Sequence, residues 1–228
     1  MLEVVVIYSP QGNARLIEAL ETGDSSARLR AVMAVGTEPD PALVDALVER
    51  CAVESDFFVR DMLTWALTRL PSEITVPRLV AELRSERAQA RSQALHTLSK
   101  IGDRDVWPSI TSSLLRDADD EVARSAWRAA VILVPAGERQ ALAAELATQL
   151  GRGDRNVQLS LSRALVVLGD LIEPVLRKAL ASEDPKARAH ARATEILLRD
   201  PEAGFDPAVH EAKRIAALGP EPVEVAEC

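Results

Sequence analysis

Residues 56–67 read Asp56-Phe57-Phe58-Val59-Arg60-Asp61-Met62-Leu63-Thr64-Trp65-Ala66-Leu67. An Asp ahead of a helix-forming run is an N-cap. Its carboxylate accepts a first-turn backbone N–H and suits the positive end of the helix dipole. Counted from Arg60, the positions three, six, seven and ten residues on are Leu63, Ala66, Leu67 and Leu70. That spacing puts all four on one helical face, and the small Ala lets a neighbouring helix approach. The segment predicts a capped helix that buries a single stripe.

The same frame recurs along the chain. It fits Asp24, Ala27, Arg28, Ala31, Ala34 and Val35. It fits Ala90, Arg91, Ala94, Thr97 and Leu98, with Arg87 in the cap place. It fits Asp119, Val122, Ala126 and Ala129, with Ala123 in the Arg place. It fits Asp154, Val157, Leu161, Ala164 and Leu165, with Gln158 in the Arg place. The last copy has Asp184, Ala187, Arg188, Ala191 and Thr194. The Arg-equivalent positions are 28, 60, 91, 123, 158 and 188, spaced by 30 to 35 residues. Ten residues beyond them stand Leu70, Ile101, Leu133, Leu168 and Leu198 in the last five copies. Gly36, Gly102 and Gly169 fall where a helix C-terminus takes a left-handed residue. A second amphipathic segment precedes each frame, over 15–20, 41–51, 76–83, 110–115, 139–150 and 173–180. One such pair cannot bury its apolar face alone, so the pairs must stack.

From about residue 13 to 199 the chain resembles short bacterial HEAT repeats, an armadillo-like family, on the Asp…Val-Arg…Ala…Ala-Leu signature of the second helix. The period is shorter than the ~40–47 residues usual for HEAT units. The tetratricopeptide and ankyrin signatures are absent from the sequence. The resemblance implies an all-α, right-handed α-solenoid of about six helix pairs. It places the first helix of each pair (A) on the convex outside and the second (B) on the concave inside. Residues 1–12 are then an N-terminal apolar extension and 13–199 the solenoid. Residues 200–218 hold a C-terminal capping helix over 207–218, and 219–228 form an acidic flexible tail.

Composition agrees with this reading. The 228 residues are 47% hydrophobic but only 3% aromatic, which disfavours a β-sandwich and excludes a disordered chain. The net charge of −8 makes a poor nucleic-acid binder by default. Cys51 and Cys228 form neither a disulfide framework nor a metal motif, as expected of a reducing compartment. The apolar runs, Met1–Tyr8 among them, are too short to span a membrane. A soluble cytoplasmic protein is expected.

Motifs that carry chemistry are scarce. Arg152-Gly153-Asp154 reads as a turn leading into a helix cap. Asp117–Glu121 lacks the Gly that a calcium loop needs at its sixth position. His96, His190 and His210 have no Cys or His at ligand spacing. The sequence holds no phosphate loop and no nucleophile elbow. No catalytic residue, metal site or cofactor is expected.

Charge says more. The eleven-residue bodies of the B helices hold eleven basic and three acidic residues, a net +8 that leaves −16 for the rest of the chain. With four cap residues added to each helix, the split is +4 against −12. Trp65, His96, Arg124, Trp127, Arg128, Arg163 and Arg192 sit one, four or five residues past the Arg-equivalent positions. Those shared positions off the stripe, with the charge split, lead us to expect them to line a basic, Trp-bearing concave groove, and Trp and Arg are enriched at binding hot spots. The function expected is a non-catalytic interaction module, a scaffold or adaptor for an acidic protein segment. The alternative is a nucleic-acid-binding protein that resembles the HEAT-like alkylpurine DNA glycosylases. There Asp61 and Trp65 share a helix face and Trp127 faces them.

Overall fold

The computed structural model describes residues 10–202 and 205 of the chain. The N-terminal extension as far as residue 9 and the helix expected over 207–218 lie outside the described residues, as does the acidic tail. The described chain is helical throughout, with no strand. It divides into two compact units, one ending at Leu133 and one beginning at Val134.

The first unit holds α1 (Pro10–Thr22), α2 (Ser25–Thr37), α3 (Val44–Cys51), α4 (Phe57–Arg69), α5 (Ser72–Glu82), α6 (Ala88–Ile101), α7 (Ser112–Leu115) and α8 (Asp120–Leu133). Odd and even helices pair as α1–α2, α3–α4, α5–α6 and α7–α8. Even helices also lie side by side, α2 on α4, α4 on α6 and α6 on α8, while α1 meets α3 and α3 meets α5. The second unit holds α9 (Arg139–Ala147), α10 (Arg155–Val167), α11 (Glu173–Leu180) and α12 (Pro185–Arg199). There α9 packs on α10 and α11, and α12 on α10 and α11.

Each even helix begins where the frame puts it. Asp24, Asp56, Asp154 and Asp184 cap α2, α4, α10 and α12 by accepting first-turn N–H groups. Asp119 accepts from the N–H groups of Glu121 and Val122 at the start of α8. Arg87 stands before α6, which has no side-chain cap. Cores follow the stripe: Leu63, Ala66 and Leu67 on α4, Ala94 and Leu98 on α6, and Ala126, Ala129 and Leu133 on α8 are buried. The fourth odd helix is short because Arg104–Ser109, which contains Pro108, forms a 3-10 turn ahead of α7.

Two expectations need correction. Gly102 and Gly169 take positive φ as the frame requires, but Gly36 does not. Gly36 lies inside α2, and the Trp65 ring fills the space that a side chain there would need. The buried stripe is also wider than the frame allows. Four residues past the Arg-equivalent position, Val32, Thr64, Leu95, Trp127 and Ser162 are all buried. Most even helices are flanked by other even helices and backed by an odd one, so more than one narrow face is covered.

Candidate functional site

The arginines of the frame are anchored first. Arg28 places Nε and Nη2 on the Glu54 carboxylate, at 2.6 and 2.9 Å, and Nη1 on the Gly23 carbonyl. Arg91 does the same with Asp117, at 2.9 and 3.1 Å, and with the Ser85 and Glu86 carbonyls. Arg60 and Arg188 bond backbone carbonyls ahead of their own helices and not cap carboxylates: Glu54 and Ser55 for Arg60, Ser182 and Glu183 for Arg188.

Glu54 is the hub of the first unit. Its buried carboxylate also accepts from Arg50 Nε at 2.8 Å and from the Asp56 N–H at 2.8 Å. Burial alone would raise its pKa. The bonds from Arg28, the Asp56 N–H and Arg50 win and hold it at about 2.

A groove of about 500 Å3 opens across three even helices of the first unit. From α4 come Phe57, Arg60 and Asp61, and from α6 Ala88, Gln89, Ser92, Gln93 and His96. Ser125 and Arg128 of α8, with Asp119 and Glu121 at its start, complete the wall. Phe57, Arg60 and Asp61 share a face because they stand three and four residues apart. Phe57 is 66% exposed beside Phe58 at 71%, and their rings meet edge to face at 5.7 Å. Ser92 and Ser125 bring their hydroxyls to 2.9 Å. Arg128 Nη1 lies 3.4 Å from His96 Nδ1, so the imidazole accepts there. Burial lowers the His96 pKa, Arg128 and Lys100 lower it further, and Asp61 opposes them. The neutral ring is therefore the favoured form.

Of the seven residues expected in one groove, His96 and Arg128 line this one. Arg124 is bonded to Glu121 at the rim. Trp65 is about one-third exposed and packs on Gly36. Trp127 is not a groove residue. It is fully buried, and its indole N–H donates to the Leu115 carbonyl at 2.8 Å, taking up one of the carbonyls that the end of α7 leaves open. That burial also removes Trp127 from any face shared with Asp61 and Trp65. Arg163 and Arg192 belong to the second unit. Arg163 is exposed on α10, and Arg192 stands 3.8 Å from Glu195 on α12.

The groove is also less basic than the charge count over the B helices implied: two guanidiniums and three carboxylates line it. Sequence reading passed over Phe57 and Arg60 as groove residues. The signal was present in Phe57-Phe58, two large apolar residues ahead of the buried stripe where nothing of the same helix covers them.

Among the described residues no group of three or more His, Cys, Asp or Glu side chains is placed to hold a metal ion. No described helix is long and apolar enough to cross a membrane. No protein-family model matches the chain, and no curated protein matches it either.

Proposed function

We propose that the chain is a HEAT-like α-solenoid that works as a non-catalytic interaction module in the bacterial cytoplasm. In this reading the groove across α4, α6 and α8 receives an acidic segment of a protein partner. The observation that carries it is the wall of that groove: polar side chains from three successive even helices, Arg60 and Arg128 among them, lining a space flanked by the exposed Phe57. A mixed polar and aromatic surface of this kind suits a peptide, with aromatic and Arg anchors at its centre. The side-by-side even helices support the solenoid reading.

Fluorescence anisotropy with a labelled Leu-containing peptide carrying one Glu, the matching peptide with Lys in its place and a short DNA duplex tests the proposal. The acidic peptide is expected to bind, and Arg128→Glu to weaken it several-fold, chiefly at low salt. Preference for the duplex, with a steep salt dependence, would replace this reading with a nucleic-acid one.

A further inference from the structure

Arg28, Arg60 and Arg91 hold the same place in successive repeats, yet only two of them carry a carboxylate. Each uses Nη1 on carbonyls of the loop ahead of its own helix. Arg28 and Arg91 then offer the Nε–Nη2 edge to Glu54 and Asp117 as a two-pronged clamp. Both carboxylates stand two residues before the next cap position, Asp56 or Asp119. Both also accept the N–H of that cap residue, at 2.8 and 2.9 Å.

The counterpart for Arg60 is Ser85, two residues before Arg87. Ser85 keeps the turn, since its hydroxyl accepts from the Arg87 N–H at 3.3 Å. It has no carboxylate to offer. Among the described residues no carboxylate is bonded to Arg60, and the neighbouring Glu86 is exposed. Arg60 is nonetheless fixed in position by its two carbonyl bonds, and it lines the groove beside Phe57.

We propose that Arg60 anchors one carboxylate side chain of a bound peptide in the manner of Glu54 on Arg28 and Asp117 on Arg91, with an adjacent apolar side chain of that peptide resting on Phe57. The inference rests on the interaction-module reading and deepens it. Asp61, Asp119 and Glu121 line the same groove, so a highly acidic run gains little from the overall field. Selection comes instead from the planar fork, which matches a carboxylate in two bonds and which a Lys cannot reproduce. The partner is therefore a peptide with a single Asp or Glu next to an apolar residue, not a polyacidic tail.

A peptide library displayed on phage, selected on the whole chain, tests this. Enriched peptides are expected to share one Asp or Glu with an apolar neighbour. A synthetic copy should bind at least ten-fold more weakly to Arg60→Gln, and Arg60→Lys should not restore it. Because Arg60 also supports the loop, a second variant leaves it in place. Ser85→Glu supplies the internal carboxylate, and should raise the melting temperature while weakening the peptide at least ten-fold. The rise should vanish in the Arg60→Gln, Ser85→Glu double variant. A peptide that binds Ser85→Glu and Arg60→Gln as it binds the wild type would overturn the anchor and leave the module reading intact. So would enriched peptides without a carboxylate. No enrichment at all would overturn both.

Discussion

The Trp65 ring of α4 occupies the space beside Gly36 of α2 where any larger residue would place its Cβ. A Cβ at Gly36 would overlap three ring carbons. Ala in a helix interior gains about 1 kcal/mol over Gly in propensity. Overpacking at a closed contact costs about 1–3 kcal/mol. The ring is held only in part by neighbours and is about one-third exposed, so it can swing outward at that cost. Gly36→Ala is expected to lower stability and shift tryptophan emission to the red. A stabilised Gly36→Ala protein would mean that the contact is loose.

Trp127 and the end of α7 form the second test. Trp127→Phe keeps most of the ring but leaves the buried Leu115 carbonyl without its indole donor. An unsatisfied buried group costs about 1–3 kcal/mol. Truncation to Ala adds a cavity and should cost about 3–5 kcal/mol. Urea denaturation should give losses in that order. Binding through the α4–α6–α8 groove should survive Trp127→Phe, since the ring never reaches the surface.

Acid should weaken the two units at different pH. In the second unit the buried His190 accepts the Gly151 N–H at Nδ1, 3.0 Å away, which leaves the proton on Nε2, near the Gln158 carbonyl and the Ser162 hydroxyl. Burial drives its pKa down to about 4, against a smaller opposing bond to Gln158. A folded pKa below the unfolded 6.5 means that the unfolded chain binds the proton first. This stabilisation, on the order of 3 kcal/mol, is therefore complete above pH ~6.5 and lost as pH falls toward 4. Glu54, held near 2 against an ordinary 4.5, follows the carboxylate case: its contribution is present above ~4.5 and lost as pH falls toward 2. Chemical denaturation across pH 3–7 should show His190→Gln flattening the upper part of the curve only.

Cys51 should be inert in the folded protein. Burial, with Glu54 and Glu82 nearby, pushes its thiol up to about 12, so almost no thiolate forms at neutral pH. In a Cys228→Ser background, alkylation by iodoacetamide should proceed at the rate of unfolding. Rapid labelling under native conditions would show that α3 opens locally.

What the sequence carried best was local. A cap at Asp56 and a stripe at Leu63, Ala66 and Leu67 are set by neighbours three to seven residues away, and both are visible in a single repeat. Burial of Trp127 was not visible, because the face four residues past the Arg place is closed by neighbouring helices far away in sequence, and its indole partner is the end of α7. Arg60 was hidden for the opposite reason. Its distinction lies in what the next loop lacks, and a Ser at position 85 draws no attention until Glu54 and Asp117 are seen bonded to their arginines.

Pairs of hydroxyls join neighbouring even helices: Thr64 with Thr97 at 3.4 Å, Ser92 with Ser125 at 2.9 Å, and Ser162 with Thr194 at 2.6 Å. Apolar contacts tolerate a helix sliding along its neighbour, whereas a buried hydroxyl loses its partner with a shift of even one residue. The first and last pairs join the same two frame positions, the fourth residue past the Arg place and the sixth in the next repeat. The middle pair joins different ones. The α4–α6 and α10–α12 junctions thus share one key, and α6–α8 has its own. Duplication of a repeat, by recombination in nature or by design, would meet a matching lock at the first kind of junction and a mismatched one at the second.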